Sequence, residues 1–273
     1  MMNPPTTQAL KTRAKQIRRD IIQMTAAAGS GHPGGSLSAA EIVTALYFAL
    51  MRHDPKNPKW PDRDRLILSK GHASPLLYSA LAEAGYFDGK LLLTFRKLGS
   101  PLQGHPDRRR VPGLEASTGS LGQGLSIGIG HALARRLDHK DYFTYVVMSD
   151  GETNEGQTWE AAAMAAHHKV DHLIAILDDN KFQLDDATKV ICDMEPMVEK
   201  WKSFRWHVQE IDGHDFDQIL AAVKIAQKVK DQPAMIVAHT IKGKGVSFME
   251  NNNHFHGVAP TKEEAERALK ELA

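Results

Sequence analysis

The chain has 273 residues, 42% of them hydrophobic and 25% charged, which excludes a mostly disordered protein and supplies a real core. Lysine and arginine number 34 against 33 acidic residues, so a general polyanion-binding surface is excluded and only a local anion pocket stays open. The one cysteine, Cys192, rules out an internal disulfide framework and a Cys-based zinc cage. The longest apolar stretch, residues 42–51, is about half a membrane span, and the opening MMNPPTTQALKTRAKQ has no apolar signal core. These readings predict a cytoplasmic protein with no nucleic-acid or membrane partner.

Residues 8–28 carry apolar side chains at helical spacing and stop at AGSGHPGG, which no helix tolerates. Ser36 or Ser38 is expected to cap a second helix over 39–51. The proline-rich segment HDPKNPKWPDRD is a loop, 65–69 a short strand, and 75–84 and 90–98 are helices. Residues 99–121 hold much Gly, Pro and Ser, and a loop of that length inside a compact domain is usually functional. From 122 onward helices and strands alternate: helix 122–137, strand 142–148, helix 159–168, strand 173–177, helix 194–202, strand 205–211, helix 216–229 and strand 234–238. The alternation predicts an α/β domain, a parallel sheet with helices on both faces. No linker or repeat divides the chain, so residues 1–273 read as one domain. Thr261 and Glu264 form a capping-box signature for a last helix.

The chemistry concentrates at the ends of strands. YFTYVVM runs into Ser149-Asp150-Gly151, and LIAIL into Asp178-Asp179-Asn180. Two neighbouring strands would place Asp150 and Asn180 at one rim, where open α/β sheets bind ligands. A carboxylate and an amide oxygen are hard donors suited to Mg²⁺ or Ca²⁺. The alternative is that Asp150 caps a helix and 178–180 form a turn. STGSLGQGLSIGIG, 117–130, is a glycine-rich approach to a helix. It suits either a diphosphate cradle or close helix packing. His32, His72, His105 and His256 each sit in a loop beside glycine. They suit a polar pocket that handles hydroxyls and protons, or else solvated surface. A His-based zinc site would need ligand spacing that is not present. Lys242, in IKGKG, could hold an anion, and Arg108-Arg109-Arg110 is either a substrate-mouth patch or a surface charge run.

Taken in order, SGHPGGSLSAAEI, SKGHAS, GHP, STGSLGQG, SDGETNEGQTWEA, DDNKF and HG resemble transketolase, in its N-terminal, thiamin-diphosphate-binding half. The resemblance runs from about residue 8 to 260. It implies a thiamin-diphosphate-binding fold and a set of roles. Asp150, Asn180 and the backbone carbonyl of Phe182 would hold Mg²⁺, or Ca²⁺ or Mn²⁺, against the diphosphate. Gly119, Gly151 and Glu152 would line the diphosphate region, with Ser120 where many members have proline. Leu121 and Leu184 would pack on the cofactor rings. His72 and His256 would lie near the diphosphate and the reactive carbon, while His32 and His256 would deprotonate the donor hydroxyl. His105 would hold the donor's terminal hydroxyl, and Lys242 would lie at the mouth. Glu155 would be an interface glutamate. Ser149 departs from the family's Gly-Asp-Gly at a position that is not a ligand.

A full-length transketolase continues beyond the point where this sequence ends. The resemblance therefore implies one subunit of a split enzyme, completed by a C-terminal subunit in an α₂β₂ heterotetramer acting on sugar phosphates. Rival readings are a split transketolase for an unusual sugar phosphate or sulfosugar and a relative of 1-deoxyxylulose-5-phosphate synthase. A nicotinamide-dependent oxidoreductase would need a buried strand just before Gly122. A non-catalytic partner subunit would have no need of the histidines, Asp150 and Asn180.

Overall fold

Five strands form one parallel sheet in the order β1-β2-β3-β5-β4: β1 (Arg65–Leu68), β2 (Thr144–Ser149), β3 (Leu173–Asp179), β4 (His207–Asp212) and β5 (Ala234–His239). The structure is a computed structural model and describes residues 5–273; the first four residues of the opening stretch lie outside it. Every residue of β1, β2 and β3 is buried. Burial on both faces explains why these strands read as unbroken apolar runs rather than alternating ones. Alternate side chains serve two cores. Tyr145, Val147, Ile174 and Ile176 pack with the helices of one face, and Val146, Met148, Ala175 and Leu177 with those of the other.

The first face is covered by α1 (Thr7–Ala28), α3 (Ala40–Ala45), α4 (Ser74–Glu83), α9 (Phe216–Ala226) and α10 (Lys262–Glu271), with the short α2 (Pro33–Ser38) beside them. The second is covered by α5 (Gln123–Leu137), α6 (Gly156–His167) and α8 (Met197–Ser203), and α7 (Thr188–Ile191) is a single turn in the loop after β3. Thr6 caps α1 by accepting from the Ala9 N–H at 3.2 Å, and Gly29 ends it at φ 58°. The capping box at α10 forms as read, between Thr261 and Glu264. Among the described residues no helix is long and apolar enough to cross a membrane.

Several element boundaries differ from the sequence reading. The helix expected over 39–51 is α3 followed by a wider π-type turn at Leu46–Leu50, and the segment AGSGHPGG, expected to hold no helix, starts the short α2 at Pro33. Pro33 starts the segment, as a proline at the first helical position can, and Ser36 and Ser38 do not cap it. Ser36 donates back to the His32 carbonyl, and Ser38 donates to Asp178 across the core. The 90–98 helix is a short 3₁₀ stretch at Gly89–Thr94. The segment read as helix 194–202 starts only after Pro196, and strand 205–211 starts after Arg205, which holds a positive φ of 63°. β2 and β3 run further toward the site than expected, to Ser149 and Asp179.

Candidate active site

Ser149 of β2 pairs directly with Asp178 of β3, so the residues that follow each strand emerge side by side at the C-terminal edge of the sheet. A cavity of about 290 Å³ opens there, where open parallel sheets present their ligand sites. Several segments supply its walls. His32 and Gly35 come from the start of α2, Lys70 and His72 from the end of β1, and Gly119 and Leu121 from the end of the long loop. Gly151, Glu152, Asn154 and Glu155 follow β2, Asn180, Phe182, Gln183 and Leu184 follow β3, and Lys242 and His256 close the last side.

The three histidines meet as a cluster. His72 stacks on His256 with centroids 5.4 Å apart, and His32 lies 5.2 Å from His72 and 5.6 Å from His256. Burial lowers His32 to about 4, helped by Arg96, His105 and Lys242. Burial lowers His256 to about 3, with Lys242 and His32 adding to it, and drives His72 well below the ordinary imidazole range beside Lys70. All three are neutral at physiological pH. Lys242, itself 1% exposed, is lowered to about 8 by burial.

A second cluster lies beneath. Asp178 is fully buried and accepts from Lys70 Nζ at 2.5 Å, Ser38 Oγ at 2.6 Å and Asn180 Nδ2 at 2.9 Å, and also from the Thr240 hydroxyl. Burial pushes its carboxyl up, but Lys70 and these donors outweigh that and hold it low. The bond to Asn180 fixes which end of that amide is the oxygen. Asp150 accepts the Gly151 N–H at 2.9 Å and the Lys181 N–H at 2.6 Å. Burial, with Asp179 and Asp178 nearby, raises its carboxyl to about 8.

Not every expected residue faces the cavity. Asp150 borders a small separate void with Asp179 and Glu195. His105 is exposed at the rim and packs close to Gly119, where an added Cβ would come within 2.9 Å of its ring. Ser120 is exposed and accepts from Gln123 Nε2 at 3.2 Å, outside the cavity wall. Glu152 reaches the wall, but its carboxylate serves the fold. It accepts from the Ser69 hydroxyl, from Gly122 N at 2.7 Å and from Ser149 N at 3.3 Å. The Gly122 N–H at the start of α5 is thus spent on Glu152. The glycines Gly124 and Gly128 lie against Ser69 and Val146, so packing is their role. Arg108 lines a different cavity with Arg63 and His131, which removes it from the mouth of this site.

The sequence reading missed Lys70, Arg96, Asn154 and Gln183. Lys70 could have been found as a lysine closing an apolar strand directly before Gly71-His72. The others carry no local signal. Asn154 Nδ2 and Oδ1 and Gln183 Nε2 are buried at the cavity without hydrogen-bond partners. Orphaned amides of this kind fit a polar ligand. Among the described residues no three His, Cys, Asp or Glu side chains gather as a metal cluster. The donor set at the strand ends is instead one carboxylate, one amide oxygen and backbone carbonyls, which suits a hard cation completed by phosphate oxygens and water.

A parallel α/β sheet with a histidine-lined cavity at its C-terminal edge is the layout of an α/β ligand-binding enzyme. Residues 9–273 match the family of the transketolase thiamine diphosphate binding domain, and the chain belongs to that family. It is 48% identical over 263 residues to the 6-deoxy-6-sulfo-D-fructose transketolase subunit SqwG of Clostridium sp. (strain MSTE9), covering 96% of each. It is 39% identical to an apulose-4-phosphate transketolase subunit from Phocaeicola vulgatus, covering 97% of this chain and 94% of that one. Human transketolase is 41% identical over 97% of this chain, which spans 42% of its length. The Campylobacter jejuni transketolase crystal structure superposes with a TM-score of 0.92 at 34% identity, over 98% of this chain and 43% of that one.

Proposed function

We propose that this chain is the N-terminal subunit of a split transketolase, which moves a two-carbon ketol unit from a ketose phosphate to an aldose phosphate together with a separate C-terminal subunit. The observation that carries the reading is the single cavity where His32, His72, His256, Gly151 and Asn180 converge at the sheet edge. Relatives named as transketolase subunits align over nearly their whole length, which supports a two-chain enzyme. An α₂β₂ assembly with Glu155 at an interface is part of the proposal, as is the reading of residues 1–273 as one domain. Cys192 is free and exposed, compatible with the reducing cytoplasm.

Thiamin diphosphate supplies the electron sink for the transferred unit when bound. This chain's residues fit it. Asn154 and Gln183 offer the unpartnered amides, and Gly119 and Gly151 line the same cavity. Leu121 and Leu184 supply the apolar wall, with Leu184 62% exposed. Asp150, Asn180 and the Phe182 carbonyl would hold Mg²⁺, and Ca²⁺ or Mn²⁺ suit the same oxygens. A cation beside Asp150 would relieve the penalty that raises its carboxyl to about 8.

A second reading narrows the donor. The 48% identity to the sulfofructose transketolase subunit favours a sulfosugar over a simple ketose phosphate. The test is a ketol-transfer assay with thiamin diphosphate and Mg²⁺, run with this chain alone and with a C-terminal subunit. Xylulose 5-phosphate and 6-deoxy-6-sulfo-D-fructose are offered separately as donors, with ribose 5-phosphate as acceptor. Transfer only with both chains supports the split enzyme, and the faster donor decides between the readings. Full activity of this chain alone overturns the two-subunit proposal.

A further inference from the structure

A second cavity, of about 360 Å³, opens beside the start of β1, at the opposite end of that strand from Lys70 and His72. It shares no lining residue with the candidate active site. Its charges do not balance. Lys59, Arg63, Arg65 and Arg108 line it against one carboxylate, Glu115, and His131 of α5 completes the polar wall. Arg63 forks onto Glu115, Nε to Oε1 at 2.8 Å and Nη2 to Oε2 at 2.6 Å, and Arg65 Nε lies 3.7 Å from Oε2. The Lys59 and Arg108 side chains have no hydrogen bond or ion pair among the described residues.

The inner part of this charge is buried and held in place. The Arg65 and Arg63 side chains are 9% and 16% exposed. Arg65 donates to the Pro61 carbonyl at 2.9 Å and to the Arg63 carbonyl, and lies 4.3 Å over the Tyr142 ring. Arg63 also donates to the Trp60 carbonyl at 2.8 Å. Each guanidinium carries five N–H groups; Arg63 spends three of them and Arg65 two, so both keep donors in reserve. Fixed guanidinium forks suit the oxygens of a phosphate. Val111 and Leu114 add apolar surface that a bare ion would not use.

We propose that this cavity binds a small organic phosphate as its dianion, with Lys59 and Arg108 gripping it from the exposed rim and Arg63 and Arg65 from the buried wall. The assignment is independent of the ketol-transfer reading, because the two cavities are built from different residues. His131 serves as a reporter. Burial lowers its imidazole, and Arg65, Arg63 and Arg108 add to the effect. A dianion seated among these cations opposes their field and moves the imidazole back up.

The probe is glycerol 3-phosphate, titrated calorimetrically into the full chain in a phosphate-free buffer. Binding at about 1 mM or tighter is expected; no binding overturns the proposal. The candidate active site also suits phosphate oxygens, so charge reversals locate the heat. Arg108 and Arg109 are both exposed, and neither reversal touches the core. Arg108→Glu should weaken binding about tenfold or more, as for a lost charge-assisted contact. Arg109→Glu, on a surface partner of Asp107 outside the cavity, should change it by less than about twofold. Unchanged affinity in Arg108→Glu overturns the proposal, as do equal losses in the two variants, which would mean diffuse attraction. The His131 titration, followed by ¹H NMR and assigned with His131→Asn, should move up when the probe is saturating. A fixed titration in the presence of bound probe overturns the placement. Loss of probe binding on adding a C-terminal subunit would give the cavity to a carboxylate of that subunit and overturn the small-molecule assignment.

Discussion

Lys70 Nζ lies 2.5 Å from Asp178 Oδ2, with the two side chains 1% and 0% exposed. The pair joins β1 to β3 across β2 and, through the same carboxylate oxygen, holds the amide of Asn180. It is part of the fold and of the site at once. Taking away one partner leaves a buried charge without compensation. Lys70→Met is therefore expected to cost about 3–5 kcal/mol of unfolding free energy, read by urea titration of the full chain. Adding Asp178→Asn to that variant removes the stranded charge and should recover a large part. A loss below about 1 kcal/mol for Lys70→Met would place this pair with ordinary surface ion pairs.

The glycine-rich approach to α5 gives a paired test. A Cβ on Gly124 would stand 2.3 Å from Ser69 Oγ and 2.7 Å from its Cα, whereas one on Gly130 would meet nothing within 4 Å. Gly124→Ala should destabilise by about 1–3 kcal/mol or more through overpacking. Gly130→Ala, on the open side of the same helix, should be neutral or gain up to about 1 kcal/mol. Thermal unfolding of both variants checks this. Equal effects would remove the packing account of Gly124.

That contrast shows what was legible in the sequence. The apolar runs of β2 and β3 fix the parallel sheet, and the Asp and Asn at their ends mark its functional edge. The glycines of 117–130 stayed open between anion binding and packing, because both uses need a missing Cβ. Only the Glu152–Gly122 bond and the Ser69 contact separate them. Lys70 and Arg96 stayed hidden because their partners lie between 35 and 108 residues away. The broken 39–51 helix was missed because Ser36 and Ser38 carry the residue type of a cap but bond inward.

The assignment of the metal site is open to a direct test. Asp150→Ala and Asn180→Ala, each in the assembled enzyme, should weaken Mg²⁺-dependent thiamin diphosphate binding by about tenfold or more. Calorimetric titration with and without Mg²⁺ measures it. Asp178→Asn should give a smaller loss in the same titration, since it loosens Asn180 without removing an oxygen ligand. Unchanged binding in both alanine variants would refute the assigned ligands.

His105 stands apart from the histidine cluster, at the rim beside Gly119. Its position suits the far end of a sugar rather than the cofactor. His105→Ala should raise the donor KM about two- to tenfold, as expected for one lost hydrogen bond, with cofactor affinity nearly unchanged. A large loss of cofactor affinity would move His105 into the diphosphate region.

The buried imidazoles make a signed prediction for stability against pH. His32 falls to about 4 and His256 to about 3 in the folded chain, from 6.5. Between those values the unfolded chain binds protons that the native chain does not. Their contribution is therefore fully present above pH 6.5 and is lost as pH falls toward 4, by up to about 1.4 kcal/mol per pH unit for each histidine. Asp20 runs the other way. Burial raises it from 3.8 to about 6, so the native state holds the extra proton and gains stability as pH falls through that interval. Asp150, raised to about 8, has the same sign. The total curve mixes these slopes, so the informative quantity is a difference. Subtracting the urea stability of the His32→Asn/His256→Asn chain from that of wild type cancels the two aspartates. The difference should rise from pH 4 to 6.5 and be flat above. A flat difference across the whole range would mean that the two rings are not held neutral by burial.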